Sequence, residues 1–323
     1  MKKALITGAL GQDGSYMAEL LLGLGYEVWG TARGSTLSSG GNFISGVRYA
    51  YADIRDELSL LTLLRRVEPD EIYNFAGQST VPASIEYPVD TFDVNTNGFM
   101  RLMRCVEKLQ FKNTRVYQAS SATMYGKFDG KGQVVVNENT SFNPITPYSI
   151  SKYAAHRIVE MYRDKGYYVV GGILFNHESP RRTEDMVTRK ITRAVAQYAI
   201  GEKPALKLGT ITTVRDWGYA SDYVKAMYKM LQQDIPEDFV IGTGIGHTVQ
   251  EFLKAAMQAA DVRTIDLVPF SSDSLRHSET YTILADATKA AVKLGWVPET
   301  NFLDLVKLMV LADIKEAQRM VTA

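Results

Sequence analysis

The chain has 323 residues, of which 46% are hydrophobic and 22% charged, and its 36 basic side chains balance 36 acidic ones. This composition is ordinary for a globular protein, and the length allows one large α/β domain or a large and a smaller one. Without a basic surplus we expect no nucleic-acid partner, and without ~20 consecutive apolar residues we expect no membrane span.

The single cysteine, Cys105, bears on the compartment in which the protein works. One cysteine cannot form an intrachain disulfide, which suits a reducing environment. The apolar run near the beginning of the chain, Ala4–Leu10, is too short to resemble an export signal. We therefore expect a cytoplasmic protein.

Short apolar strands alternate with amphipathic helices through the first half of the chain. In chain order we predict a strand before Gly8, a helix after Gly14, strands at 27–32, 47–54, 71–77 and 114–121, and helices at 56–67 and 95–109. Strands and helices that alternate at this rate form a parallel, doubly wound sheet with helices on both faces. The predicted fold class is therefore α/β, with a Rossmann-type sheet.

The pattern becomes less regular in the second half of the chain. The predicted elements there are helices at 151–165, 187–200 and 249–259, a strand at 168–175, and polar loops at 176–186, 201–211 and 268–280. We therefore expect two domains without a clear linker. Residues 1–175, with returning segments from the C-terminal half, form a Rossmann domain, and residues 176–323 form mainly a smaller α/β substrate lobe.

Three glycines separate the first strand from its helix, in the pattern Gly8-x-x-Gly11-x-x-Gly14. Such glycines allow a tight turn, close approach of the backbone to a pyrophosphate, and packing of the helix on the sheet. The helix N-terminus adds amide groups and a positive dipole. The position between a strand and a helix predicts a dinucleotide site that includes Gln12 and Asp13 of the same turn.

The residues after the next strands bear on the identity of the dinucleotide. Arg33 and Ser35 follow the second strand, where an acidic residue would hold a free ribose 2′-hydroxyl. A cationic residue can neutralise a 2′-phosphate instead, so NADP is favoured and NAD remains possible; a solvated loop arginine is the alternative. Asp53 and Ile54 after the third strand, and Ala76 after the fourth, lie where strand ends can meet the adenine and the pyrophosphate, or serve only as turn residues.

A tyrosine and a lysine one helical turn apart, Tyr148 and Lys152, form the candidate catalytic pair. A lysine ammonium beside a tyrosine favours the phenolate, which makes a group with a reference pKa of ~10 usable as a base near neutral pH. Ser121, at the end of the preceding strand, can donate a hydrogen bond to the same substrate hydroxyl. This combination predicts hydride transfer assisted by proton transfer.

Several runs of the sequence resemble the extended short-chain dehydrogenase/reductases. TGALGQDG, NFAG, SSATMYG and the Tyr148-x-x-x-Lys152 spacing occur in the order found in that family. Longer runs, including ILFNHESPRR, RDWGYASDYVKAM and LGWVP, are similar to the GDP-mannose 4,6-dehydratases over essentially the whole chain. The resemblance implies an NAD(P)-dependent enzyme that modifies a GDP-sugar.

The resemblance to the dehydratases also implies a GDP-sugar pocket in the second lobe. Two arginines and a lysine on loops of a neutral chain form a local anion site, and the arginine fork suits phosphate. His277 replaces a proline that is usual in that family. The implied contacts are the diphosphate for Asn176 and Arg215, the guanine for Val187 and Lys190, and phosphate and ribose oxygens for Arg276 and Glu279. No metal site is expected.

One position departs from the dehydratase pattern. That family carries Thr-Ser-Glu where this chain has Ser121, Ala122 and Thr123. The glutamate removes the proton from C5 of the oxidised sugar, and a neutral hydroxyl is a poor general base at pH 7. The SSATMYG segment is instead similar to that of the UDP-galactose 4-epimerases, in which C4 is oxidised and then reduced on the opposite face. We therefore predict a C4 epimerase or C4 oxidoreductase of a GDP-sugar.

Other activities remain open. The chain can be a 4,6-dehydratase that uses another base, such as Glu178, or a reductase of a GDP-4-keto-6-deoxy sugar. A non-catalytic nucleotide-sugar sensor is disfavoured because Ser121, Tyr148 and Lys152 are all present. The segment 181–190 resembles the region in which the dehydratases associate, which implies a homodimer or homotetramer, although Thr183 replaces the usual glycine there.

Overall fold

A parallel sheet of seven strands lies at the centre of the part of the protein that the computed structural model describes, residues 1–33, 41–128, 132–269 and 281–322. The strands, in chain order, are β1 (Lys3–Thr7), β2 (Glu27–Ala32), β3 (Arg48–Tyr51), β4 (Glu71–Asn74), β5 (Arg115–Ser121), β6 (Gly132–Val136), β7 (Val169–Leu174), β8 (Asn176–Glu178), β9 (Leu206–Leu208), β10 (Val214–Tyr219), β11 (Phe239–Ile241), β12 (Gly246–Thr248), β13 (Leu267–Pro269) and β14 (Tyr281–Ala285). The central sheet has the order β3-β2-β1-β4-β5-β7-β11, and each neighbouring pair is parallel. The predicted Rossmann-type α/β fold is confirmed.

Helices cover both faces of this sheet. In chain order they are α1 (Gln12–Gly23), α2 (Glu57–Val67), α3 (Val81–Glu86), α4 (Pro88–Phe92), α5 (Gly98–Lys108), α6 (Pro147–Asp164), α7 (Val187–Ala199), α8 (Ala220–Leu231), α9 (Val249–Ala259), α10 (Thr288–Leu294) and α11 (Phe302–Thr322). On one face α1, α8 and α10 bury a cluster that includes Met17 and Met227, and on the other α2, α5 and α6 bury one that includes Leu64 and Phe99. In the described ranges, no helix has the length and apolar character needed to cross a lipid bilayer.

The winding of the chain reverses beside β1. This strand lies between β2 and β4, with Leu5 opposite Trp29 on one side and Ile72 on the other. The chain continues from β1 to β2 and β3, then returns to the other side of β1 to form β4 and β5. Connections that leave in opposite directions open a crevice at the carboxyl ends of the strands, where ligands bind in folds of this type.

The C-terminal half forms a second, smaller core and also extends the central sheet. Helices α7, α9 and α11 pack around Val195, Phe252 and Met309. Shorter sheets in the described residues have the orders β12-β10-β8, β13-β9 and β14-β6. In contrast, β11 pairs with β7, while α8 and α10 belong to the core on one face of the central sheet. Both parts of the chain therefore build the domain that carries the glycine turn.

Local hydrogen bonds fix the beginning of α6. The Thr146 hydroxyl accepts a hydrogen bond of 3.1 Å from Ser149 N, and the Ser149 hydroxyl accepts one of 2.9 Å from Thr146 N. This reciprocal pair is a capping box, and Pro147 occupies the first helical position, where a missing N–H group costs little. The helix therefore begins before the predicted Ser151, and Tyr148 lies in its first turn.

The three segments predicted as loops in the second half all contain strand residues, since β13 includes Val268 and Pro269 of the third. Asn176–Glu178 forms β8, which runs parallel to Trp217–Tyr219 of β10, and Leu206–Leu208 forms β9 beside β13. Strands of three residues are too short to show a hydrophobic period, and their partners lie far along the chain. The loop predictions are therefore wrong at these positions.

Candidate active site

The turn between β1 and α1 lies against the segment that follows β4. Gly8 has a φ of +68°, and a Cβ atom there would lie 2.9 Å from Ala76 N. A Cβ atom on Gly14 would collide with the Gly8 carbonyl oxygen. The Thr7 hydroxyl accepts a hydrogen bond of 3.1 Å from Ala76 N. The structure thus brings Gly8, Gly14 and Ala76 together at the crevice beside β1. Positions 8 and 14 accept only glycine, because a Cβ atom there would prevent this close approach of the backbone.

The N-terminus of α1 fits the pyrophosphate of a dinucleotide. Gly11 is the N-cap residue, and no side chain caps the helix there. Free amide groups and the helix dipole at such an end favour phosphate. Gln12 and Asp13 direct their side chains away, towards His177: Gln12 Nε2 donates to His177 O at 3.0 Å, and Asp13 Oδ2 lies 2.9 Å from His177 Nε2. Any contact of Gln12 and Asp13 with the pyrophosphate would therefore come from their backbone.

Charged side chains gather where β2 and β3 end. Arg33 is exposed directly after β2, and Ile54 is buried after β3. The Arg55 guanidinium donates to Asp53 over 2.8 Å from Nη2 and 3.1 Å from Nε. This hydrogen bonding by Arg55 lowers the pKa of Asp53, and the positive charge of Arg33 acts in the same direction. Two arginines therefore lie near this edge, and Arg55 is a candidate that the sequence analysis missed.

The proposed catalytic residues lie on β5, on the turn after it and on α6. Lys152 is 9% exposed, and its Nζ donates to Ala119 O at 2.9 Å and lies 5.9 Å from the centroid of the Tyr148 ring. Ser121 Oγ lies 2.9 Å from Thr123 Oγ1. Because Ala119 and Ser121 both belong to β5, the lysine ties the helix that carries Tyr148 to the strand that carries Ser121. Thr123 is an exposed residue.

A π-helical turn, Asp93–Asn97, supports this arrangement from below α6. Asn95 Oδ1 accepts a hydrogen bond of 2.8 Å from Gln78 N, and Asn95 Nδ2 donates to Ser151 Oγ at 3.0 Å. Asn95 therefore links the loop after β4 to the residue that precedes Lys152. The sequence gives no signal for this role of Asn95, because a single π-turn leaves no mark in the hydrophobic pattern.

The residues implied for the GDP-sugar fall into two groups. Asn176 begins β8 and is exposed, and Arg215 lies on the adjacent strand β10, in which Trp217 is the register partner of Asn176. Val187 and Lys190 lie on α7, the first half-buried against the second core and the second exposed. The structure thus places each pair on neighbouring backbone. Three further predicted residues lie outside the described ranges: Ser35, Arg276 and Glu279.

The surroundings of Glu178 show whether this alternative base could act on a bound sugar. Glu178, the alternative base, is 2% exposed, accepts a hydrogen bond of 2.6 Å from Thr188 Oγ1 and lies 3.5 Å from Arg182 Nε. Its carboxylate is thus engaged by its own neighbours and does not fit a base that faces a sugar. In the same described ranges, no three His, Cys, Asp or Glu side chains are placed to hold a metal ion.

The chain is similar in sequence to GDP-mannose 4,6-dehydratases and in structure to UDP-glucose 4-epimerases. The family model described as GDP-mannose 4,6 dehydratase matches residues 5–309. The GDP-mannose 4,6-dehydratase of Yersinia enterocolitica is 41% identical over 360 residues, which cover 99% of this chain and 95% of that protein. The UDP-glucose 4-epimerase of Thermotoga maritima, solved with UDP-glucose, has a TM-score of 0.85 at 25% identity and covers 98% of this chain and 99% of its own. The UDP-glucose 4-epimerase of Thermus thermophilus, solved with NAD, has a TM-score of 0.83 at 26% identity and covers 96% of this chain and 98% of its own.

These similarities bear on three of the sequence-based predictions. They confirm the resemblance to the dehydratases and to the extended short-chain dehydrogenase/reductases, and they support a nicotinamide cofactor. The choice of NADP still depends on Arg33. They favour 4,6-dehydration, stated above as an alternative, over C4 epimerisation or C4 oxidoreduction, which they do not confirm.

Proposed function

The chain belongs to the GDP-mannose 4,6-dehydratase family, and from this membership we propose that it oxidises GDP-mannose at C4 and completes its 4,6-dehydration. It is a nicotinamide-dependent, sugar-nucleotide-modifying enzyme of the short-chain dehydrogenase/reductase type. The observation that carries the proposal is the family match over residues 5–309, which includes Ser121, Tyr148 and Lys152.

The cofactor in this proposal is NADP, which when bound supplies the hydride acceptor. The glycine turn, Gly8 to Gly14, and the N-terminus of α1 would hold its pyrophosphate, because this helix end has no side-chain cap and its amide groups can donate to phosphate. A Cβ atom at Gly8 or Gly14 would collide with neighbouring backbone, so the turn is this tight only with glycine at both positions. Arg33 would meet the 2′-phosphate, because a guanidinium binds phosphate with two parallel hydrogen bonds.

Oxidation at C4 requires that a proton leave the 4-hydroxyl as a hydride leaves the carbon. Tyr148 would act as the general base that takes that proton, with Lys152 Nζ 5.9 Å from the centroid of its ring. The hydrogen bond from Lys152 Nζ to Ala119 O fixes the lysine in place. Ser121 would donate to the same sugar oxygen and hold it in line with the cofactor.

Elimination follows from the C4 ketone, which acidifies the hydrogen on C5. The C5 proton is transferred to the departing 6-hydroxyl, which leaves as water. C6 would then receive the hydride that C4 lost, and C5 would take up the proton that Tyr148 removed from the 4-hydroxyl. The net reaction is therefore loss of water without net oxidation. Thr123 is an exposed residue with a neutral hydroxyl, so it would pass the C5 proton to the departing 6-hydroxyl more slowly than a carboxylate would.

The GDP portion would bind between β8, β10 and α7. Arg215 supplies a cation for the diphosphate, with Asn176 on the adjacent strand as a further donor. Val187 and Lys190, at the beginning of α7, would contact the guanine. A homodimer or homotetramer remains part of the proposal.

A second candidate function, C4 epimerisation, is favoured by one observation, the hydroxyl pair formed by Ser121 and Thr123. Epimerisation uses the same oxidation at C4, with Tyr148 as the base, but needs no acceptor for the C5 proton. Hydride would return to the opposite face of C4 after the ketone has rotated. A C4 oxidoreductase would share that first step.

Incubation of the purified protein with NADP and GDP-mannose tests the proposal, with the products identified by NMR. We expect a GDP-4-keto-6-deoxy sugar. A hexose inverted at C4 would replace the dehydratase with the second candidate, and net reduction of the cofactor would indicate a dehydrogenase. Failure to bind GDP would contradict both candidate functions.

A further inference from the structure

The buried imidazole of His177, on β8, is held between two hydrogen-bond acceptors. Its Nδ1 lies 2.8 Å from Phe175 O, and its Nε2 lies 2.9 Å from Asp13 Oδ2. A carbonyl and a carboxylate only accept, so both ring nitrogens carry a proton and the ring is an imidazolium. The ring also stacks on Tyr223, with centroids 4.8 Å apart. His177 therefore has one fixed orientation.

The charges of this pair support the same assignment. Burial alone would raise the pKa of Asp13, but the charge and hydrogen bond of His177 outweigh it and lower that pKa to about 2. Burial alone would lower the pKa of His177, but Asp13 outweighs it and raises that pKa. The positive charge of Arg182 lowers both pKa values. Both shifts favour the ionised forms of the pair.

Two further hydrogen bonds connect the same segments. Gln12 Nε2 donates to His177 O at 3.0 Å, and Ser179 Oγ donates to Gln12 Oε1 at 2.8 Å. We call Gln12, Asp13, His177 and Ser179 the clasp. Each of these side chains is largely withdrawn from solvent. Their bonds between α1 and the β8 segment run from the first turn of α1 to two residues, His177 on β8 and Ser179 just after it.

The clasp joins the two halves of the site. Gln12 and Asp13 lie between Gly11 and Gly14, in the turn that fits the dinucleotide. Asn176, proposed to meet the GDP-sugar, directly precedes His177 on β8. Gln12 and Asp13 bind the backbone and the side chain of His177, so a movement of the glycine turn would also move His177, the residue next to Asn176.

A purely structural role explains the clasp less well. Burying an ion pair costs desolvation energy, and well-packed apolar residues are often as stable in such positions. The clasp is also placed at the carboxyl edge of the sheet, in the elements that border both ligands.

A second buried carboxylate, Glu71, lies at the opposite edge of the sheet and accepts hydrogen bonds from Tyr26 and Tyr73 at 3.1 Å and 2.7 Å.

We propose that the clasp is a positioning device that couples dinucleotide binding to GDP-sugar binding, an inference that rests on the proposed function. The first ligand orders the glycine turn and β8 together, so the second ligand has less ordering left to complete. The coupling is reciprocal: each ligand tightens the other by the same factor. Asp13 and His177 are therefore positioning residues, which act through the glycine turn and Asn176.

Calorimetric titration of NADP, with and without saturating GDP, tests this proposal. We expect GDP to tighten NADP binding by at least about fivefold in the wild-type protein, the lower end of common couplings. Asp13→Asn retains the size and an acceptor atom but removes the charge, and should bring the factor close to one. Ser179→Ala, a milder change, should reduce the factor partly and serves if Asp13→Asn does not fold.

Glu71→Gln is the matched control, because it alters a buried carboxylate of the same domain away from the site. It should lower the melting temperature and leave the coupling factor unchanged. A wild-type protein that binds NADP and GDP independently, or an Asp13→Asn or Ser179→Ala protein with the wild-type factor, would overturn the clasp alone. A wild-type protein that does not bind GDP would overturn the proposed function as well.

Discussion

Thr123 Oγ1 lies 2.9 Å from Ser121 Oγ, so the turn after β5 presents a pair of hydroxyl groups to the candidate active site. The resemblance to the dehydratases implies a carboxylate at the position of Thr123. A hydroxyl can orient a sugar oxygen or relay a proton, but it cannot hold the proton that C5 must lose. The chemistry of the residue at position 123 therefore bears on which product the site forms after C4 oxidation.

The first prediction concerns this proton acceptor. Thr123→Glu should increase the rate of formation of the 4-keto-6-deoxy product by about 10²-fold or more, the usual contribution of a general base. Thr123→Gln has the same size without the charge and should give no increase. The measurement is the initial rate with GDP-mannose at pH 7. Equal rates for the two variants would show that position 123 does not supply the base.

The second prediction concerns Tyr148. Tyr148→Phe removes only the hydroxyl, so kcat should fall by about 10²- to 10⁴-fold while NADP and GDP bind as before. Tyr153→Phe is the control, because Tyr153 lies on the same helix and its ring packs on Phe142. Its turnover should stay close to that of the wild type. A Tyr148→Phe enzyme with normal turnover would remove this residue from the mechanism.

The third prediction concerns the choice of dinucleotide. Arg33→Ala should weaken NADP binding by about 10- to 150-fold, the equivalent of one charge-assisted hydrogen bond worth ~1.5–3 kcal/mol. NAD binding should be unchanged, because NAD lacks the 2′-phosphate. Arg48→Ala, which removes another exposed arginine whose partner is Glu27, should leave both affinities unchanged. An equal loss for NADP and NAD would contradict a 2′-phosphate site at Arg33.

The fourth prediction concerns the pH dependence of stability. The pKa of His177 is raised above its ordinary value of 6.5 by Asp13, so its stabilising effect is complete below pH 6.5 and is lost as pH rises through the raised pKa. The stability advantage of the wild type over His177→Gln should therefore shrink from pH 6 to pH 9, by at most about 1.4 kcal/mol per pH unit. Asp13, with a pKa of about 2, stays ionised in this range.

Urea unfolding of both proteins across that pH range provides the measurement. Comparison of the two proteins at each pH cancels the titration of groups that they share. An advantage that grows with pH would show that His177 is buried as the neutral imidazole.

The sheet and the cofactor turn could be predicted from the sequence, because both depend on local patterns. The spacing of Gly8, Gly11 and Gly14 between a strand and a helix predicts the turn, and the structure adds its close contact with the segment after β4. The strand at Glu27–Ala32 and the helix at Val249–Ala259 have the predicted bounds, because hydrophobic periodicity and caps define them.

The clasp and the supporting contacts were not predictable in the same way. Asp13 and His177 are distant in the chain, and β8 is too short to be recognised as a strand. A histidine within the NHES run, beside the implied ligand Asn176, is the only local signal for this pair. Asn95 gives no such signal, because its role depends on a π-turn that places it against Ser151.

In the proposed reaction the site moves the hydrogen on C4 of a GDP-sugar. GDP-mannose deuterated at C4 tests this most directly, with the deuterium located in the product by NMR. We predict that deuterium leaves C4 and appears on C6 of the 4-keto-6-deoxy sugar, because the hydride removed in the first step is returned after water is lost. A product that retains deuterium on C4 in its original configuration would contradict the account.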